Sequence, residues 1–266
     1  MRIARFSLGQ EPRYGVVEGD DGAEVIYVIG GDPLYTEVKA TGKTHAVADV
    51  RLLAPVIPRS KVIGVSGNYG GGGGDAALGG DRTAPVWFAK PNTSVCGPGD
   101  PITLDARLRA PAFHAAALAV VIGRVAKDVP AAQAAKVILG YTVANDVGYR
   151  FSPEDRLAGP DQRGFFGKWR DSFTPLGPWI ETDLDVAAGW PVRSWIDGQA
   201  RQDGTTAELV IGVGELVATA SSVCTLLPGD VILTGTPAGA SPIEPGERVT
   251  CEVTGLGAIA NPVVRR

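Results

Sequence analysis

"FHAAALAVVIGRVAKDVPAAQAAKVILGYTVANDVGYR", residues 113–150, decides how the fold is read. Leu118 to Ile122 is a bulky, branched run that reads as a buried strand. The residues feeding it, Ala115, Ala116 and Ala117, are poor strand formers and bear no functional group. "VPAAQAAKVILG" follows, with Pro130 near its start and Gly140 past its end, the punctuation of a helix. "YTVANDV" then returns to strand character.

Outward from this stretch, strand-like runs dominate: "VWFAKP" and the β-branched run Val62 to Val65 before it, "RSWIDGQ", "DVILTGTP" and "RVTCEVTGLG" after it. Turn signals separate them at 97–100 (GPGD), 196–199 (IDGQ), 227–230 (LPGD) and 244–247 (EPGE). One further helix is expected over about Thr206 to Val223. Strands greatly outnumber helices, so the expected class is α+β and mainly β rather than a doubly wound sheet. "MRIARFSL" and "YGVVEGD" make residues 1–60 a small β-rich N-terminal domain, too short to bury a core alone. The prolines of "LLAPVIPRSKVIGVSGNY" mark its end, and residues 61–266 form the main domain.

Composition narrows the partners. The 266 residues are 44% hydrophobic and 20% charged, as in an ordinary globular protein, and the 36 Gly and 20 Pro suit many tight turns. A net charge of −4 without a basic stripe argues against nucleic acid. Cys96, Cys224 and Cys251 are odd in number and widely spaced, indicating neither a zinc site nor a disulfide framework. Nothing resembles a signal peptide or the ~18 apolar residues of a membrane span, so a cytoplasmic protein is expected. The glycines Gly70 to Gly74 lack the Lys-Ser/Thr that a P-loop requires and are read as a flexible lid.

"KVIGVSGNYG", "VWFAKPNTSVCGPGDPI", "TVANDVGYR", "GKWRDSFTPLGPWI", "DGQARQDGTTAEL", "LLPGDVILTGTPAGA" and "GLGAIANPVV" come in the order seen in the fumarylacetoacetate hydrolase family, which the chain resembles from about Val62 to Val264. The resemblance implies a partly rolled mixed sheet with a small N-terminal domain, usually as a homodimer. It also implies work on C–C bonds next to carbonyls: hydrolysis of acylpyruvates, decarboxylation of 2-oxo diacids, or isomerisation.

Two departures stand out against that family. Its members carry E-x-E before the "LAVVIG" strand, and residues i and i+2 project from one strand face. With the Asp of "NDV" they form an oxygen-ligand site for Mg²⁺ or Mn²⁺, which polarises the substrate and stabilises its enolate. Here the two Glu positions hold Ala115 and Ala117, and Asp146 alone remains. The family's N-Y-x-x-H-x-x-E lid supplies a His–Glu base. Asn68 and Tyr69 match, whereas Gly72 and Asp75 stand in the His and Glu places. No tightly held metal and no other cofactor is therefore expected; Mg²⁺ or Mn²⁺ returns if Ala115 and Ala117 were introduced in place of Glu or if other carboxylates replace the lost pair.

The residues left to carry chemistry follow from the same match. Lys168 and Arg150, with Asp146 and Asp75, form the candidate catalytic set. Ser66, Asn68, Tyr69, Lys90, Ser94, Tyr149, Trp169, Thr234, Gly235 and Thr236 form the candidate substrate-binding set. A buried ammonium or guanidinium can stabilise an enolate in place of a metal. Arg150 and Lys168 could equally serve as ion-pair partners of Asp146 or Asp171. Tyr149, Phe151, Phe165, Phe166 and Trp169 suggest a large apolar substrate, although core packing uses the same residues. His114 falls on the strand face opposite 115 and 117, as a packed histidine would, and His45 reads as a surface residue.

The leading expectation is a metal-independent enzyme acting on an enolisable 1,3-dicarbonyl or 2-oxo acid. It could serve a tailoring step in secondary metabolism such as isomerisation, dehydration or cyclisation. A Mg²⁺- or Mn²⁺-dependent C–C hydrolase or decarboxylase is the second, and a non-catalytic small-molecule-binding protein the third.

Overall fold

The computed structural model describes residues 1–20, 22–70, 85–152 and 163–266. The glycine run beyond Gly70, Gly72 and Asp75 lie outside the described residues. The elements are β1 (Arg2–Ser7), β2 (Arg13–Glu18), β3 (Val25–Gly30), β4 (Lys39–Ala46), β5 (Arg51–Leu53), β6 (Val62–Ser66), β7 (Val86–Lys90), β8 (Val95–Cys96), β9 (Ile102–Leu104), β10 (Ala112–Phe113), β11 (Ala116–Ile122), β12 (Ile138–Asn145), β13 (Gly148–Tyr149), α1 (Arg163–Lys168), β14 (Thr174–Glu181), β15 (Pro191–Ile196), β16 (Gln199–Thr205), α2 (Val213–Val223), β17 (Val231–Leu233), β18 (Pro242–Ile243), β19 (Arg248–Val253) and β20 (Gly257–Arg265). The class is α+β and mainly β.

The first sheet runs β4-β3-β2-β1-β14-β12-β11-β17-β6-β7, with β5 beside β1 and β8 beside β14. A five-stranded sheet, β16-β15-β19-β20-β9, packs across β11, β12 and β14, and β13-β10-β18 forms a small third sheet. The strand β11 is central and buried along its whole length. One face, through Leu118, Val120 and Ile122, joins Val143, Val192, Val249 and Val253 in the main core. The other, through Ala117, Ala119 and Val121, meets Ile3, Leu176, Ile180 and Val231 in a second core. Alanines that disfavour a strand locally are held in one because β12 and β17 pair antiparallel on its two sides; tertiary pairing overrides propensity.

The N-terminal strands extend the same sheet. Arg2 pairs with Glu181 and Ile3 with Ile180 across β1 and β14, and Ala4, Phe6, Val17, Ile26 and Val28 close a third core on Trp179. Among the described residues, no helix is long and apolar enough to cross a membrane.

The turns follow their residues. In "GPGD" and "EPGE" proline sets the first corner and glycine takes the left-handed second one (Gly99 φ 78°, Gly246 φ 100°). The amides of Asp100 and Glu247 then donate back to Gly97 and Glu244 at 3.2 Å. Helix expectations fare less well. Residues 131–136 form a 3-10 turn, and β12 begins at Ile138. Gly140 does not end a helix; it lies in β12 where a Cβ would come within 2.4 Å of the Glu181 carbonyl oxygen. The expected helix over 206–223 divides into a 3-10 turn, Thr206–Glu208, and α2, which starts after Gly212.

Candidate active site

Strands β11 and β12 end side by side, with Ala116 opposite Asn145, and the Asp146 amide donates to the Ala115 carbonyl at 2.8 Å. Ala115, just before β11, and Ala117 within it line a small cleft together with Asp146. Val65 and Ser66 from the end of β6, Leu233 from β17, and the following Gly235 and Thr236 complete the wall. Arg150, Lys168 and Phe113 close the remaining side.

Asp146 faces two ammonium groups. Lys90, buried at the end of β7, donates to its Oδ1 at 2.6 Å and to the carbonyls of Val147 (3.0 Å) and Phe173 (2.5 Å). Lys168, the last residue of α1, donates to its Oδ2 at 2.8 Å and lies 4.9 Å from the centre of the Phe88 ring. The Arg150 guanidinium stacks over the Phe113 ring at 3.5 Å. Among the described residues lining the cleft, two cations stand against one carboxylate, and Lys90 adds a third from behind. Basic side chains thus outnumber acidic ones among the described lining residues.

The same residues do not fit a divalent-cation site. Such a site requires several oxygen ligands, and here methyl groups occupy two of the places. The single carboxylate already holds two ammoniums, each contact worth about 4 kcal/mol of attraction at an effective dielectric near 20, before desolvation. Among the described residues, no group of three His, Cys, Asp or Glu converges.

Other residues from the sequence reading are committed to bonds or packing within the protein, whether they line the cleft, as Thr236 does, or lie away from it. The Thr234 hydroxyl donates to the Leu118 carbonyl at 3.0 Å and that of Thr236 to the Ala116 carbonyl at 2.6 Å. Both protons are thereby committed to alternate carbonyls of β11, so neither threonine offers a hydroxyl proton to substrate. Asn68 clamps the chain instead: its amide bonds the Ile211 and Thr234 carbonyls and the Ile211 amide. Tyr69 is buried beside Leu209, and burial pushes its phenol up. Ser94 bonds the Pro91 carbonyl and Thr174, away from the cleft. The Tyr149 hydroxyl accepts from the Asp105 amide, within the core of Phe151 and Phe173. Trp169 stacks on Phe165 at 4.9 Å on the exposed side of α1. The aromatic residues expected to enclose substrate are thus core or surface residues.

His114 borders the cleft, but its imidazole is tied down, Nδ1 to the Ser241 carbonyl at 3.0 Å and Nε2 to Ser194 Oγ at 2.8 Å. Burial pushes it to about 4, aided by the charges of Arg201 and Arg150 and opposed by the Ser241 carbonyl. It is neutral at pH 7.

Two residues escaped the sequence reading. Phe113 reaches the cleft from the end of β10, and His114, expected to face away, lines it too, because residues 114 and 115 fall between β10 and β11 where strand alternation lapses. Gln202 left no signal in the sequence. Its Nε2 donates to Thr236 Oγ1 at 2.7 Å and its Oε1 accepts from the Ala116 amide at 2.8 Å, but it arrives from the other sheet, 86 residues away.

Residues 61–264 match the fumarylacetoacetate (FAA) hydrolase C-terminal domain, and residues 1–55 an Rv2993c-like N-terminal domain. Protein Rv2993c of Mycobacterium tuberculosis is 41% identical over 281 residues, spanning 100% of this chain and 99% of that protein. The crystal structure of 5-carboxymethyl-2-hydroxymuconate delta-isomerase from Mycobacterium smegmatis is 44% identical and superposes with a TM-score of 0.86, covering 100% of both chains. Maleylpyruvate hydrolase from Sphingobium sp. SYK-6, solved with manganese(II) and pyruvate, is 30% identical with a TM-score of 0.78, over 100% of this chain and 99% of that one. With more than half its length matched by the family's domain and these enzymes similar to it end to end, the chain belongs to the fumarylacetoacetate hydrolase family.

Proposed function

We propose that the chain is a metal-independent enzyme acting on a small enolisable carbonyl compound of the 1,3-dicarbonyl or 2-oxo acid type. The observation that carries this reading is the Lys168 ammonium, held on Asp146 in a cleft where Ala115 and Ala117 present methyls. When a proton leaves the carbon next to a carbonyl, negative charge builds on the oxygen; a preorganised cation in a dry site stabilises that charge. Lys168 takes that oxygen and Arg150, braced on Phe113, meets a carboxylate of the same substrate. Ala115, Ala117, Val65 and Leu233 give the carbon skeleton an apolar wall. Isomerase and hydrolase, the activities in the relatives' names, both pass through such charge development.

A second reading, binding without turnover, is favoured by one feature: both Asp146 oxygens are already engaged by lysine ammoniums. Acetylpyruvate, a 1,3-dicarbonyl and a 2-oxo acid at once, separates the readings. With EDTA present, loss of its enol absorbance should proceed in the unmodified protein and fall at least 100-fold in Lys168→Met and Arg150→Met. Activity abolished by chelation and restored by Mn²⁺, or indifferent to both substitutions, overturns the proposal.

A further inference from the structure

We infer that Gly148 is a positioning residue for Lys168, and that the bare backbone there is what lets this second ammonium join Lys90 on Asp146. The inference deepens the proposed role of Lys168 and rests on it for its functional meaning. Lys168 reaches Asp146 from α1 by crossing β13. A Cβ on Gly148 would lie 2.9 Å from its Cδ, 2.9 Å from its Cε and 3.0 Å from its Nζ. Real Cβ atoms do not approach that closely, so even alanine must push the end of the lysine aside.

A second contact supports the same path. A Cβ on Gly167, the residue before Lys168, would come within 2.6 Å of the Tyr149 carbonyl oxygen. Two missing side chains therefore act together: Gly167 lets α1 lie directly on β13, and Gly148 lets the lysine thread over that strand. The partner of Gly148 across the sheet is Phe113, whose ring carries Arg150. One bare position thus separates the two cations of the cleft. The residue at 148 sets whether Asp146 Oδ2 is covered by the Lys168 ammonium, with Lys90 on Oδ1 in either case.

The variants Gly148→Ala, Lys168→Ala and the double change test this. Crystal structures read the distance between Lys168 Nζ and the Asp146 carboxylate, and titration calorimetry with oxalate, a planar dianion resembling an enolate, reads availability of the ammonium. In the unmodified protein Nζ should contact Asp146; in Gly148→Ala the contact should be broken, with the thermal midpoint little changed. Oxalate affinity should fall about tenfold or more in either single variant. The double variant should bind no worse than Lys168→Ala, because the new methyl then has nothing to displace. A Gly148→Ala structure that keeps the contact, or losses that multiply in the double variant, overturns the inference. Failure of the unmodified protein to bind oxalate counts against the proposed function, and the structural arm still decides the role of Gly148.

Discussion

Lys90 and Lys168 touch the same carboxylate and should behave differently when removed. Lys90 is buried, and it holds Asp146 and two backbone carbonyls at once. Lys90→Met should therefore lower the unfolding free energy by about 3 kcal/mol in urea titration, the cost of two buried carbonyls and one Asp146 oxygen losing their donor while Lys168 still pairs the other oxygen. Lys168 is buried as well; Lys168→Met gives up one charge-assisted hydrogen bond while Asp146 stays paired to Lys90, and should cost about 2 kcal/mol. Equal losses would show that Asp146 depends on both. His114 makes a pH prediction. Its folded value of about 4 lies below the ordinary value near 6.5, so the unfolded chain takes up the proton first. Its stabilising effect is complete above pH ~6.5 and declines as pH falls to about 4, by on the order of 3 kcal/mol. Unfolding measured across that window should show this slope, and His114→Asn should flatten it; an unchanged slope would assign it to other groups.

The element that organises the site is the mouth of β11, and threonines and a glutamine hold it. Thr236→Val would strip the Ala116 carbonyl of its donor and Gln202 Nε2 of one acceptor, for a predicted loss of about 2 kcal/mol and faster amide exchange at Ala116. An unchanged exchange rate would separate Thr236 from the strand. This element also marks how far the sequence can be read. A two-residue repeat puts Ala115 and Ala117 together, as found, but misplaces His114, which lines the cleft too because the repeat lapses between β10 and β11. The roles of Thr234 and Thr236 escape it altogether, because their partners lie 116 and 120 residues away and are fixed only by sheet register. The 131–136 segment reads as helix locally, yet Ile138 pairs with Ile122 and Gly140 must pass close to β14, so pairing claims the residues for a strand. Prolines and glycines of the tight turns were legible because their conformations are local.

At the scale of the whole molecule, the N-terminal segment reads as a separate unit from its linker prolines, and the structure joins it to the main sheet through β1 and β14. Deleting residues 1–60 would bare the β14 edge and the Trp179 face, so the remaining chain should be insoluble or lack a cooperative melt. A cooperative, soluble 61–266 fragment would show that β1 merely decorates the sheet. In the proposed reading the family's cleft persists here without a divalent cation, and Lys168 and Arg150 are left to hold negative charge. Titration of the purified protein with Mn²⁺, followed by its electron paramagnetic resonance signal, addresses this directly. The account predicts no saturable site in the micromolar range, in the unmodified protein and in Asp146→Asn alike. One equivalent of tightly bound Mn²⁺ in the unmodified protein, lost in Asp146→Asn, would contradict it.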